Sequence, residues 1–152
     1  MALKIRKNSN SKALPSVDFS DSGNSRYLHL GSPWIQGSMN LDKPYDIDLE
    51  YVHRMMAWLL FVPPSEVKNL HAMQLGLGAA SLTKFCRKKL QMKTTVLEIN
   101  PQVLNACRTW FKLPADDEKL NVIITDAIAE IKNPKWQASV DALQVDLYDD
   151  EA

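Results

Sequence analysis

No apolar run in this chain reaches the roughly 18 consecutive residues that a bilayer-spanning helix needs, so a membrane partner is not expected. An excess of charge of one sign is also missing. Eighteen basic residues offset eighteen acidic ones, which gives nucleic acid no basic surface to bind. The N-terminus, "MALKIRKNSNSK", is basic but lacks the apolar stretch of a secretion signal. Cysteine is scarce. Cys86 and Cys107 both fall in expected helices, and neither has a partner at metal-ligand spacing. They read as reduced, buried thiols of a cytoplasmic protein, and no metal is expected. The rest is ordinary globular material, 45% hydrophobic and 24% charged over 152 residues. That is enough for one domain with a real core and a small appendage.

Residues 1–14 are polar and basic and are expected to form a flexible tail. Residues 15–45 read as a small β-meander domain. Its runs "SVDFS", "RYLHL" and "PWIQGSM" are separated by the turn formers "DSGN" and "GS". Residues 46–61, "DIDLEYVHRMMAWLLF", place Ile47, Leu49, Val52, Met55, Met56, Leu59 and Leu60 at helical spacing, with acids in the first turn. "VPP" stops that helix.

From residue 68 the period changes. "LHAMQLGL", "TTVLEI", "NVIIT" and "VDALQVDLY" read as buried strands. Between them lie helices expected over 79–90, over "NPQVLNACRTWF" and from "DAIAEI". Asn100 suits a helix cap, and Pro101 suits its first position. The alternation implies an α/β fold with a parallel sheet covered on both faces, the first strand lying beside the second and the fourth. Doubly wound sheets usually have about six strands. The stretch 46–152 is therefore expected to be the first part of a Rossmann-like nucleoside-binding domain, incomplete at the C-terminus. The alternative is a minimal domain whose edge a partner hides.

In an open parallel sheet, ligands sit at the carboxyl ends of the strands. Four groups fall there. The turn Gly76–Leu77–Gly78–Ala79–Ala80 leads into a helix whose first N–H groups are free. Glu98 ends the second strand and can accept from a ribose diol. Asp126, followed by Ala127, ends the third. Asp146 and Asp149 follow the fourth. Each has a plainer reading. A Gly-x-Gly turn often marks packing alone, Glu98 could face solvent, Asp126 could only cap its helix, and "DLYDDEA" could be a solvated tail. The weight comes from register, because all four lie on one edge. Carboxylates there suit a cationic nucleoside such as a sulfonium, and a cationic second substrate. A pyrophosphate would call for basic residues and for a third glycine where Ser81 stands. His29 and His71 read as structural, and Trp58, Trp110 and Trp136 as packing residues. Trp34, beside Gln36, is a candidate pocket wall.

The motifs resemble those of the spermidine synthase family, which carries the class I methyltransferase-type fold, from about residue 26 onward. "WIQGSM" resembles its Ile-Gln motif and "YVHRMMAWL" its Tyr-His-Glu-Met helix. "LGLGAAS" stands at its glycine loop, "VLEINPQV" at Val-Glu-Ile-Asp, "TDAIAEI" at its Asp-Ala/Gly segment and "VDLYDD" at Asp-Ser-x-Asp-Pro. The resemblance implies transfer of an aminopropyl group from decarboxylated S-adenosylmethionine to a polyamine such as putrescine. Gln36, Gly76, Gly78, Glu98, Asp126 and Ala127 would bind the nucleoside, with His53 and Asp149 at the amine. Asp146 would be the catalytic carboxylate. The chain is expected to form a homo-oligomer, a dimer.

Departures bear on the donor. Ala79 stands where the family has an aspartate expected to grip the donor's amine. Restoring aspartate at residue 79 is therefore expected to improve use of an aminopropyl donor. Val52 replaces the family's tyrosine, with Tyr51 adjacent, and Arg54 replaces its glutamate. Asp150 stands in place of its proline. Two other functions compete. One is a methyltransferase using intact S-adenosylmethionine, whose carboxylate the Ala79 turn would suit. The other is a non-catalytic binding or assembly module.

Overall fold

The computed structural model describes residues 13–147. Most of the expected tail lies outside them. Alternation of apolar and polar residues builds the meander. β1 (Val17–Ser22) pairs antiparallel with β2 (Ser25–Leu30), from Val17 opposite Leu30 to Ser22 opposite Ser25. Gly23, at φ +57°, turns the hairpin. β3 (Gly37–Asn40) pairs with β2. It is shorter than the expected "PWIQGSM", for Pro33 has no N–H to give a ladder, and pairing begins with the Gln36 amide on Leu28 O at 2.9 Å.

The expected helix over 46–61 is broken. α1 covers only Glu50–Arg54, and a separate 3₁₀ turn covers Ala57–Phe61. The acids expected in a first turn serve distant partners instead. Asp46 pairs with Lys89 at 2.6 Å, and Asp48 accepts from the hydroxyls of Ser38 (2.6 Å) and Ser25 (3.1 Å). Those tertiary contacts keep the chain out of the helix until Glu50. Ile47, Val52 and Met56 are still buried, but Leu60 is 83% exposed, against its expected place on an apolar face.

The second sheet follows the expected order, β6-β5-β4-β7, all parallel. β4 is His71–Leu75, β5 Lys93–Glu98, β6 Leu120–Ile124 and β7 Ala142–Val145. After β4 comes α2 (Ser81–Lys84), which widens into a π turn over Phe85–Lys89. α3 (Pro101–Trp110) follows β5, capped by Asn100 as expected. α4 (Ala127–Glu130) follows β6. One face of the sheet packs under α1, α2, α3 and the meander through Ala72, Cys86, Val96, Cys107, Phe111 and their neighbours. The other buries Met73, Leu75, Leu97 and Ala127 beneath Ile131 and Trp136. The meander sits on α3, with the Phe19 ring 4.7 Å from Trp110 and Arg26 donating to Trp110 O. Among the described residues, no helix is long and apolar enough to cross a membrane.

The core also holds a cation. Lys84 is 1% exposed and its ammonium donates to Phe111 O at 2.8 Å. Burial pushes its pKa down from 10.5 to about 8, against a smaller opposing effect of Cys107. Between those values the unfolded chain binds a proton that the native chain does not. Stability therefore rises with pH across that window. Lys84→Met is expected to flatten the rise, as read from urea midpoints at about pH 7.5 and about pH 10. Equal slopes in both proteins would show that the buried ammonium is not felt.

Candidate active site

β4 stops at Leu75 because the chain must bend sharply there. Gly76 has φ +91°, and a Cβ on it would lie 2.3 Å from the Asp146 carbonyl oxygen. Gly78 has φ +50°, and its Cβ would lie 3.2 Å from Gln36 O. The two glycines thus let the turn close against the end of β7 and the entry to β3.

Glu98 ends β5 and does not face solvent; it is 7% exposed. One carboxylate oxygen accepts from the Leu77 amide at 2.9 Å, and the other from the Asn100 amide at 2.8 Å. Burial raises its pKa, and those N–H groups oppose the rise. Each oxygen keeps a second lone pair for a ligand hydroxyl. Asn100 spends its side chain on structure, accepting from Gln102 N and donating to Pro15 O at 3.0 Å. The second bond holds Pro15 as a wall of the site.

Asp126 combines its two readings. One oxygen, Oδ1, caps α4 through the Ile128 and Ala129 amides, and the residue also lines the site beside Ala127. Asp146 follows β7, with its amide on Leu75 O at 3.0 Å. Its Oδ2 accepts from the Tyr51 hydroxyl at 3.2 Å. Partial burial, then the Asp146 charge, pushes Tyr51 up to about 12, so it stays a neutral donor.

Glu98, Asp126, Ala127, Asp146, Gln36, Gly76 and Gly78 all line one open hollow of about 1020 Å³. Trp34 stands at its rim, 71% exposed. Among the described lining residues there is no lysine or arginine. A second hollow, about 20 Å³, lies next to it and shares Gln36, Tyr51, Gly76–Gly78 and Asp146 as lining residues. Ala79 lines only this one. It is 2% exposed and packed so closely on Gly37 that a Cβ there would lie 2.7 Å from the Ala79 methyl.

His53 is not brought to this place. It lies exposed on α1 and lines neither hollow. Asp149 lies outside the described residues. His71 is structural, its ring bonded to Ser139 O and Thr95 Oγ1. Three groups were missed by sequence reasoning. Tyr51, noted there only as a neighbour of Val52, is the residue that meets Asp146. Ile99 and Ile128, next to Glu98 and Asp126, add apolar walls. The third group is a pair of buried glutamines, Gln74 and Gln144, whose signal was a glutamine flanked by apolar residues in each of two strands.

No family model matches the chain. Polyamine aminopropyltransferases from a serogroup A and a serogroup B strain of Neisseria meningitidis are each 39% identical to it over 138 residues, 90% of this chain and 51% of theirs. Among solved structures, a probable spermidine synthase from Corynebacterium glutamicum matches with a TM-score of 0.61 at 16% identity, over 77% of this chain and 43% of that one. At that identity the match speaks for the fold alone. Human Methyltransferase-like protein 13 in complex with SAH matches with a TM-score of 0.51 at 26% identity, over 55% of this chain and 39% of that one. The chain spans about half the length of the curated relatives it matches. A meander leading into a parallel sheet, acids at successive strand ends and this shared sequence give one answer: the chain is homologous to the polyamine aminopropyltransferases.

Proposed function

We propose that this chain carries the donor-binding and catalytic residues for transfer of an aminopropyl group from decarboxylated S-adenosylmethionine to an amine such as putrescine. The convergence of Glu98, Asp126 and Asp146 on one hollow carries this reading. A hollow lined by acids, with no lysine or arginine among its described lining residues, favours cations. Both the sulfonium donor and the ammonium acceptor are cations. The names of the relatives support the same activity.

In this reading, Glu98 takes the ribose hydroxyls on its two remaining lone pairs. Asp126 and Ala127 meet the adenine, Ile99 and Ile128 flank it, and Gln36 lies over the sulfur. Residues 15–45 serve as one wall of the site, and 46–152 as the nucleoside-binding part. Asp149, beyond the described residues, assists at the amine. The enzyme is a cytoplasmic homo-oligomer.

The chemistry asks little beyond placement. The amine lone pair attacks the carbon bound to sulfur, the N–C bond forms and the C–S bond breaks. The electron pair leaves on sulfur, giving methylthioadenosine. A free alkyl ammonium titrates near 10, like lysine, so the attacking amine must be held neutral and in line. Asp146 accepts its proton, while the Tyr51 hydroxyl fixes one carboxylate oxygen and leaves the other for the amine.

Calorimetry with methylthioadenosine, S-adenosylmethionine and its decarboxylated form tests the reading. Methylthioadenosine is expected to bind, and the decarboxylated donor to bind more tightly than the intact one. Preference for the intact form would make the chain a methyltransferase, the alternative that the 26%-identical SAH-bound neighbour favours. Failure of all three to bind would leave an assembly module.

A further inference from the structure

Inward-facing positions of a parallel sheet are usually Val, Ile and Leu, both in the fully buried β4 and on the one buried face of the edge strand β7. Here the two adjacent strands β4 and β7 place glutamines opposite each other. Gln74 pairs in register with Gln144, and the two are 1% and 3% exposed. The Gln74 amide donates to Gln144 Oε1 at 2.7 Å, and Thr83, also 1% exposed, donates to Gln74 Oε1 at 3.3 Å. The remaining partners are poor. Gln144 Nε2 rests on the Met56 thioether sulfur at 2.9 Å, and Cys86 Sγ lies 3.8 Å from both amides. Beyond their one good bond to each other, two buried amides held by sulfur and a long hydroxyl contact cost stability against apolar residues, and packing alone does not call for them.

Their place gives the reason. Gln144 stands two residues before Asp146, which follows β7, about 6.6 Å away along extended chain. Gln74, Gln144 and Thr83 all line the small hollow that shares Gly76–Gly78 and Asp146 with the nucleoside hollow. Its volume is about 20 Å³, room for one water-sized group. Ala79, where the family resemblance expects the aspartate, stands in the same wall.

We infer that Gln74, Gln144 and Thr83 form, beside Asp146 in the same wall, a terminal subsite for the aminopropyl arm of the donor, their amide and hydroxyl oxygens taking its ammonium where Ala79 cannot. This rests on the proposed function. Gln74 Oε1 and Thr83 Oγ1 each keep a lone pair for an N–H donor. A single –NH₃⁺ has the size of the hollow. The end of an intact methionine arm does not, because its last carbon carries a carboxylate as well as the ammonium. The subsite therefore selects the unbranched arm by size. It also explains how Ala79 is tolerated.

The test uses near-isosteric variants, Gln74→Met, Gln144→Met and Thr83→Val, which remove hydrogen-bonding atoms at nearly constant volume. Two ligands are titrated by calorimetry: decarboxylated S-adenosylmethionine, and a 5′-dimethylsulfonium analogue of adenosine that keeps the cation and lacks the arm. Each variant is expected to lose about tenfold in affinity for the first and to hold the second within about twofold. Unchanged affinity of the variants for the donor would overturn the inference. So would equal losses for both ligands, which would mark the pair as structural. If the unmodified chain binds the armless analogue and gains nothing from the arm, the inference falls and the nucleoside site stands. If it binds neither ligand, the proposed function falls and takes the inference with it.

Discussion

Asp146→Asn is expected to slow aminopropyl transfer by about 10²- to 10⁴-fold at saturating substrates, the range for loss of a positioned general base. Affinity for methylthioadenosine should change by less than about threefold. The variant separates charge from shape. Asn is isosteric, its side-chain oxygen can still accept from the Tyr51 hydroxyl, and its backbone amide still donates to Leu75 O. What it cannot do is take a proton from the attacking amine or attract the ammonium before attack. Initial rates with putrescine at fixed pH, together with a methylthioadenosine titration, read the two effects apart. A rate near that of the unmodified chain would remove Asp146 from the reaction. A matched loss of nucleoside affinity would make it a binding residue, not a base.

The fold was legible where one physical constraint dominates. Alternation in Val17–Ser22 and Ser25–Leu30 can bury only one face, and it gave the hairpin directly. The strand–helix alternation after residue 68 fixed the parallel sheet, and crossover handedness fixed the position of β4 between β5 and β7. Legibility failed where tertiary partners outbid local preference. Asp46 and Asp48 look like first-turn acids, but Lys89 and two serine hydroxyls hold them. None of those partners is a neighbour in sequence. The π turn at Phe85–Lys89 was also hidden, because one inserted residue barely disturbs a helical pattern over so short a span.

The site divides in the same way. Strand ends are topological facts, so Glu98, Asp126 and Asp146 could be assigned to one edge from the sequence alone. His53 could not be placed, since the shortened α1 leaves its ring exposed while Tyr51 meets Asp146. That contact joins residues 95 apart in sequence, and no local pattern encodes it. The glutamine pair was invisible for another reason. In "HAMQL" and "ALQV" a glutamine reads as noise until register sets Gln74 opposite Gln144.

Glu98→Ala is expected to weaken methylthioadenosine binding by about 10²-fold or more, because two hydrogen bonds to a charged acceptor are lost together. It should also lower the melting temperature. The carboxylate satisfies the buried Leu77 and Asn100 amides, and each one left unpaired costs about 1–3 kcal/mol. Glu98→Gln is no mild control, since its NH₂ would confront one of those two N–H donors. The cleaner separation of ligand binding from folding comes from pH. Burial raises the Glu98 pKa above 4.5, so within that window the native chain binds a proton more readily than the unfolded chain. The Glu98 contribution to stability therefore grows as pH falls and is lost as pH rises through the raised value. Nucleoside affinity must move the opposite way, because protonation removes an acceptor needed by the ribose hydroxyls. Titrations of methylthioadenosine from neutral pH downward should show affinity falling at higher pH than an ordinary glutamate would dictate, before the fold is lost. Affinity that stays level until unfolding would place the ribose away from Glu98.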